Sequence, residues 1–153
     1  MPRYDAVVFD FDGLILDTES AEHASWEAEF AAHGVVLDLE EWAKCVGVGP
    51  DGWDVYDHLE SLIGPYDRPL VAAQRFRRFE ALLGDPLTPQ EGALELVDAL
   101  ALRRVPLAIA SSSTYAWVDG FLRRLGLRHR FAWIMSRDIA GRAKPFPDSY
   151  AAA

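Results

Sequence analysis

AVVFDFDGLILDT, residues 6–18, runs four apolar residues straight into two aspartates spaced one apart, followed by a glycine, more apolar residues and Asp17-Thr18. Ala6 to Phe9 reads as a strand buried on both faces. In open parallel sheets the carboxyl end of such a strand is where ligands bind, and Asp10 and Asp12 stand there. Side chains alternate along a strand, so both carboxylates leave it on the same side and can reach one ligand. Unpaired charges beside a core are costly, and a metal cation or a reacting group is the usual compensation. Gly13 lets the chain turn sharply away.

Two later stretches belong with this one. Pro106-Leu107-Ala108-Ile109-Ala110-Ser111 is an apolar strand ending in serine, followed by Ser112, Ser113 and Thr114. Lys144-Pro145-Phe146-Pro147-Asp148 places a lysine before a proline-rich turn. Lys44 and Lys144 are the only lysines among 15 basic residues, which singles out Lys144. In wording, order and spacing the three stretches resemble the first three motifs of the haloacid dehalogenase (HAD) superfamily, in its helical-cap branch near β-phosphoglucomutase and phosphoglycolate phosphatase. The resemblance extends over nearly the whole chain.

That resemblance implies a magnesium-dependent phosphatase of a small phosphorylated metabolite, working through an aspartyl-phosphate. Asp10 would attack phosphorus. Asp12 would protonate the leaving alcohol and later activate water. The carboxylate of Asp10 and the backbone carbonyl of Asp12 would hold Mg²⁺. Ser111 would hydrogen-bond a phosphate oxygen, aided by the amides of Ser112 and Ser113 near a helix start. Lys144 would bring a compact positive charge to the phosphate and to Asp10. Gly47, in the loop Val46 to Gly52, is the expected substrate contact from the cap. A fourth, acidic motif on a later strand is expected by the resemblance and is not found before Ala153, so the chain reads as carboxyl-terminally truncated. The implied strand order makes the first strand central; with the last two strands removed it would be an exposed edge open to self-association.

Three other readings stand beside this one. A phosphosugar mutase would carry a histidine four residues before Trp26, where this chain has Glu22, and an arginine in the loop after Gly47, which has none. A true dehalogenase does not use the Asp12 and Mg²⁺ arrangement. A non-catalytic, truncated phosphate-binding fragment would hold an anion through Ser111 and Lys144. Within the motifs, Ser112 to Thr114 also read as a helix N-cap cluster. Asp148 reads either as the N-cap of a final helix or as a residue orienting the site.

Composition bounds the rest. The chain has 153 residues, 50% hydrophobic and 25% charged, in the range of globular domains. A net charge of −9 opposes nucleic-acid binding, which needs a basic surface. Cys45 is the single cysteine, so no intrachain disulfide forms; it reads as a packed small hydrophobe in a reducing cytoplasm. No signal peptide and no membrane span are read.

Between the first two motifs the pattern is helical. Thr18 to Gly34 forms one helix, Asp38 opens a short one through Trp42, Pro50-Asp51 starts another ending near Gly64, and Pro69 begins a last one closed by Gly84. Trp42 and Trp53 read as core. The expected organisation is an α/β core of residues 1–17 and 86–153, a partial Rossmann-like parallel sheet, with an all-helical cap of residues 18–85 inserted. Thr88-Pro89 is expected to cap and start a helix whose apolar face is Leu94, Val97 and Ala101. The second strand then leads into a helix from Thr114 to Leu125, and Phe131 to Met135 forms a third strand.

Overall fold

The computed structural model describes residues 4–45 and 53–153. The chain divides into two compact units, one of the stretch ending at Asp17 together with Leu87–Ala153, the other Thr18–Pro86. In chain order the first element is strand β1 (Val7–Phe9), after which the chain passes into the helical unit.

That unit comprises α1 (Thr18–Ala32), α2 (Leu39–Trp42), α3 (Val55–Ile63) and α4 (Arg68–Leu83). Helix starts are chemically marked. Asp38 accepts from the Glu40 amide, Asp54 from the amides of Tyr56 and Asp57, and Asp67 from that of Leu70. Each aspartate satisfies a donor that the first helical turn leaves without a partner. Asp54 therefore starts α3, four residues later than Pro50; Pro50-Asp51, like Gly47, lies outside the described residues. Trp26, Phe30, Leu37, Trp42, Val55, Leu59 and Val71 form the core, with Trp53 and Cys45 packed partly buried against it. Burial pushes the Cys45 thiol up to about 11, the charge of Glu19 adding to the effect, so the group stays protonated and packs as a hydrophobe.

Charges stitch α1 to α4. Arg75 donates to Glu22 Oε2 at 2.6 Å and Ser25 Oγ at 3.1 Å, with its guanidinium 5.0 Å from the Trp26 ring centroid. Arg78 donates to Glu29, which is buried and also faces His33 at 3.2 Å.

The second unit holds α5 (Ala93–Leu102), β2 (Leu107–Ala110), α6 (Tyr115–Arg124), a 3₁₀ turn at Arg128–Arg130, β3 (Trp133–Met135), α7 (Arg137–Ala140) and α8 (Asp148–Ala152). The three strands form one parallel sheet in the order β1-β2-β3, with Val8 opposite Ala108, and Ile109 opposite Ile134. β2 is buried along its whole length, as a central strand must be. In β1 only Phe9 is fully buried, while Val7 and Val8 are half-buried. The strand covered on both faces that its sequence suggests is thus incomplete, because among the described residues β1 has β2 alone as neighbour.

One helix start differs from its sequence signal. α5 begins after Gly92, a left-handed residue that makes no side-chain cap, and Thr88-Pro89 lies outside it. The Gln90 amide is spent on the Ile15 carbonyl at 2.9 Å, and its side chain reaches the Gly13 carbonyl at 3.4 Å. Residues 88–91 therefore tie back to the loop after β1 instead of winding into a helix. Of the expected apolar face of α5, Val97 is buried and Leu94 is exposed.

Candidate active site

The loop after β1 is built to present its two aspartates. Phe11, between them, is completely buried and stacks on Phe121 at 6.3 Å, so strand alternation continues for two residues beyond β1 and turns Asp10 and Asp12 away from the core. The Phe11 amide donates to Asp10 Oδ1 at 2.7 Å. Gly13, at φ 73°, then reverses the chain, its amide donating to the Leu16 carbonyl at 2.8 Å. A side chain at Gly13 would meet the left-handed penalty.

Each aspartate finds its own partners. Lys144 Nζ donates to Asp10 Oδ1 at 2.8 Å and lies 5.0 Å from the Tyr150 ring centroid. Burial by itself pulls the ammonium down, but its hydrogen bonds to Asp10 and Tyr150 and their charges outweigh that, leaving the pKa above the ordinary lysine value. Asp12 Oδ2 accepts from Ser113 Oγ at 2.7 Å and from Ser111 Oγ at 3.2 Å, and Asp12 Oδ1 accepts from the Trp117 indole Nε1 at 2.9 Å.

The serine run after β2 is organised as a turn into α6. Ser111 is fully buried; its amide donates to the Met135 carbonyl at 3.0 Å, and its hydroxyl accepts from the Ser113 amide at 2.9 Å. The Ser113 amide is thereby turned onto Ser111. Ser112 Oγ accepts from the Lys144 amide at 3.2 Å, fastening the lysine loop to the end of β2. Thr114 is the N-cap of α6, accepting from the Trp117 amide at 3.4 Å. Asp138 accepts from the Tyr115 amide at 2.9 Å, and its carboxyl, with the Ser136 side chain beside it, is held below the usual range.

Two hydrogen-bond sets therefore stand at the carboxyl ends of β1 and β2: Asp10 with Lys144 and Ser112, and Asp12 with Ser111. Trp117 and Ser113 belong to the Asp12 set as well. Sequence reading treats Ser113 as an amide for the phosphate or part of a capping cluster and gives Trp117 no role; the signal for Trp117 is its position in the first turn of a helix that starts at a strand end. Asp148 is not an N-cap: Pro147 holds that position, and Asp148 Oδ1 accepts from Arg142 Nε at 2.9 Å.

The donor set suits a hard cation. Asp10 and Asp12 offer oxygen ligands, and among the described residues no group of three or more His, Cys, Asp or Glu could hold a metal. The Asp10 carboxylate and the Asp12 backbone carbonyl are oxygens of the kind Mg²⁺ takes, its shell completed by water and phosphate oxygens.

YhcW of Bacillus subtilis is 36% identical to this chain over 148 residues, covering 95% of it; the chain spans 66% of that relative's length. The fructose-1-phosphate phosphatase YqaB of Escherichia coli is 29% identical over 151 residues, covering 97% of this chain and 77% of its own. The structure of YfnB from Bacillus subtilis, solved bound to magnesium, superposes with a TM-score of 0.69 at 22% identity, covering 99% of this chain and 73% of that one, a likeness of fold. The model of the haloacid dehalogenase-like hydrolases matches residues 4–153. The chain belongs to the haloacid dehalogenase-like hydrolase family.

Proposed function

We propose that this chain carries the catalytic centre of a magnesium-dependent phosphatase acting on a small phosphorylated metabolite. The observation that carries the reading is the pairing of Asp10 with Lys144 at 2.8 Å beside an Asp12 held by Ser111 and Ser113. A nucleophile, a positive charge and a second carboxylate stand together at two strand ends. YqaB, a fructose-1-phosphate phosphatase, supports a phosphorylated sugar as the substrate class.

In the first step an Asp10 carboxylate oxygen forms a bond to phosphorus, and the phosphorus–oxygen bond to the substrate alcohol breaks, its electron pair leaving on that oxygen. Asp12 gives the proton that the leaving oxygen takes. In the second step Asp12, now a carboxylate, removes a proton from water. The water oxygen bonds to phosphorus, the Asp10–phosphorus bond breaks, and inorganic phosphate leaves. Lys144 balances charge on the phosphoryl oxygens and holds Asp10 in place. Mg²⁺, held by the Asp10 carboxylate and the Asp12 backbone carbonyl, would supply further neutralisation of phosphate charge when bound.

The helical unit Thr18–Pro86, containing Gly47, is proposed as the cap that chooses the substrate. Hydrolysis is favoured over a mutase because Glu22, at the position where a mutase would carry a histidine, is engaged by Arg75 at 2.6 Å. A cytoplasmic location is proposed from the single cysteine, which can form no intrachain disulfide. Phosphate release from p-nitrophenyl phosphate with and without Mg²⁺ tests the reading. Turnover that needs the metal and vanishes in Asp10→Asn is expected. A folded chain that releases no phosphate would favour the non-catalytic, phosphate-binding alternative.

A further inference from the structure

Asp12 receives hydrogen bonds of two kinds. Ser111 and Ser113 reach Oδ2 through hydroxyls, which rotate and can either donate or accept. Trp117 reaches Oδ1 through an indole N–H, which only donates. The indole cannot turn to accept a proton from the carboxyl group, so its hydrogen bond favours the state in which Oδ1 carries no proton.

The ring is also fixed in place. Trp117 lies in the first turn of α6, its amide bonded to the Thr114 cap. It packs edge-on against Phe121 at 4.9 Å, and Phe121 stacks on Phe11, the residue between the two aspartates. The indole and the aspartate loop therefore share one rigid aromatic support.

We propose that Trp117 is a positioning residue for Asp12: it reserves Oδ1 as an acceptor and thereby leaves Oδ2, beside the two serines, as the oxygen that carries the proton to the leaving group. This rests on the phosphatase reading of Asp12. When Asp12 is protonated, the Oδ2–H bond has Ser113 Oγ as a ready acceptor. When phosphorus transfers, that bond breaks, the proton joins the leaving oxygen, and Ser113 turns back to donate to the new carboxylate. A serine in place of the indole could not make this distinction between the two oxygens.

The test is Trp117→Phe, which keeps an aromatic ring against Phe121 and removes the N–H. Its turnover is compared on p-nitrophenyl phosphate, whose leaving group needs little protonation, and on glycerol 2-phosphate, whose alkoxide needs a full proton. A loss of roughly tenfold on the alkyl ester, with the aryl ester changed less than twofold, is expected for a hydrogen bond to a charged group. Equal loss on both esters, or none on either, overturns the role of Trp117 while leaving the phosphatase reading intact. No turnover of either ester by the unsubstituted chain overturns the phosphatase reading itself. A second measurement does not depend on activity. In a ¹H–¹⁵N spectrum, the indole resonance missing in Trp117→Phe identifies Trp117, and it should move in Asp12→Ala while those of Trp26, Trp42, Trp53 and Trp133 stay in place. A Trp117 indole unmoved by Asp12→Ala overturns the contact.

Discussion

Lys144 bears on the site in two ways, through its ammonium on Asp10 and its amide on Ser112. Lys144→Met removes the charge and keeps the amide, so turnover should fall about a hundredfold, the usual loss on removing one electrostatic stabiliser, with circular dichroism unchanged. Because the pairing raises its pKa, the ammonium's contribution to stability is complete below the ordinary lysine value and is lost only as pH climbs through the raised one. The difference in melting temperature between wild type and Lys144→Met should therefore stay constant from about pH 7 to about pH 10. That Asp10 meets Lys144 and Asp12 meets Ser111 is legible because the four sit in three short motifs. Trp117 is not, since it meets Asp12 across 105 positions of sequence and its ring reads as one more apolar helix residue. Ser113 reads as an amide facing the phosphate or as part of a cap, yet its amide turns to Ser111 and its hydroxyl to Asp12. Nothing local in the sequence announces either bond.

At the level of elements, the difference between a capping motif and a working cap can be measured. Asp54 accepts from two amides at the start of α3, so Asp54→Ala should lower the stability seen in a urea melt by about 1 kcal/mol. Thr88→Ala should leave it within about 0.5 kcal/mol, because Thr88 starts no helix. Both threonine and proline at 88–89 carry the right local chemistry; what overrides them is the demand of the Ile15 carbonyl for a donor, met by Gln90. Asp38 and Thr114 show the opposite case, in which an N-cap side chain next to an apolar helical run is enough. The strands were legible from their apolar runs. Their lengths came out shorter than those runs, since Ala6 and Pro106 stand outside the ladder.

For the molecule as a whole, β1 carries hydrogen-bonding groups along a side that no other described strand covers, next to half-buried Val7 and Val8. We expect the chain to associate with itself through this edge. Sedimentation over a range of concentrations should show a mass that rises with concentration, and a single monomeric species throughout would contradict it. The alternation of one strand, a helical stretch and two more strands was visible in the sequence. The tie between Ile15 and Gln90 was not, because it joins two backbone groups that any sequence possesses. Yet that tie has a consequence of its own. Ile15 stands just before the chain departs into the four helices and Gln90 just after it returns, and a hydrogen bond of 2.9 Å clasps the two. The α/β unit thus holds both ends of a long excursion like the clasp of a necklace. What is strung between them can lengthen, shrink or be replaced without disturbing a strand, so the insert is free to vary while the α/β unit keeps its frame.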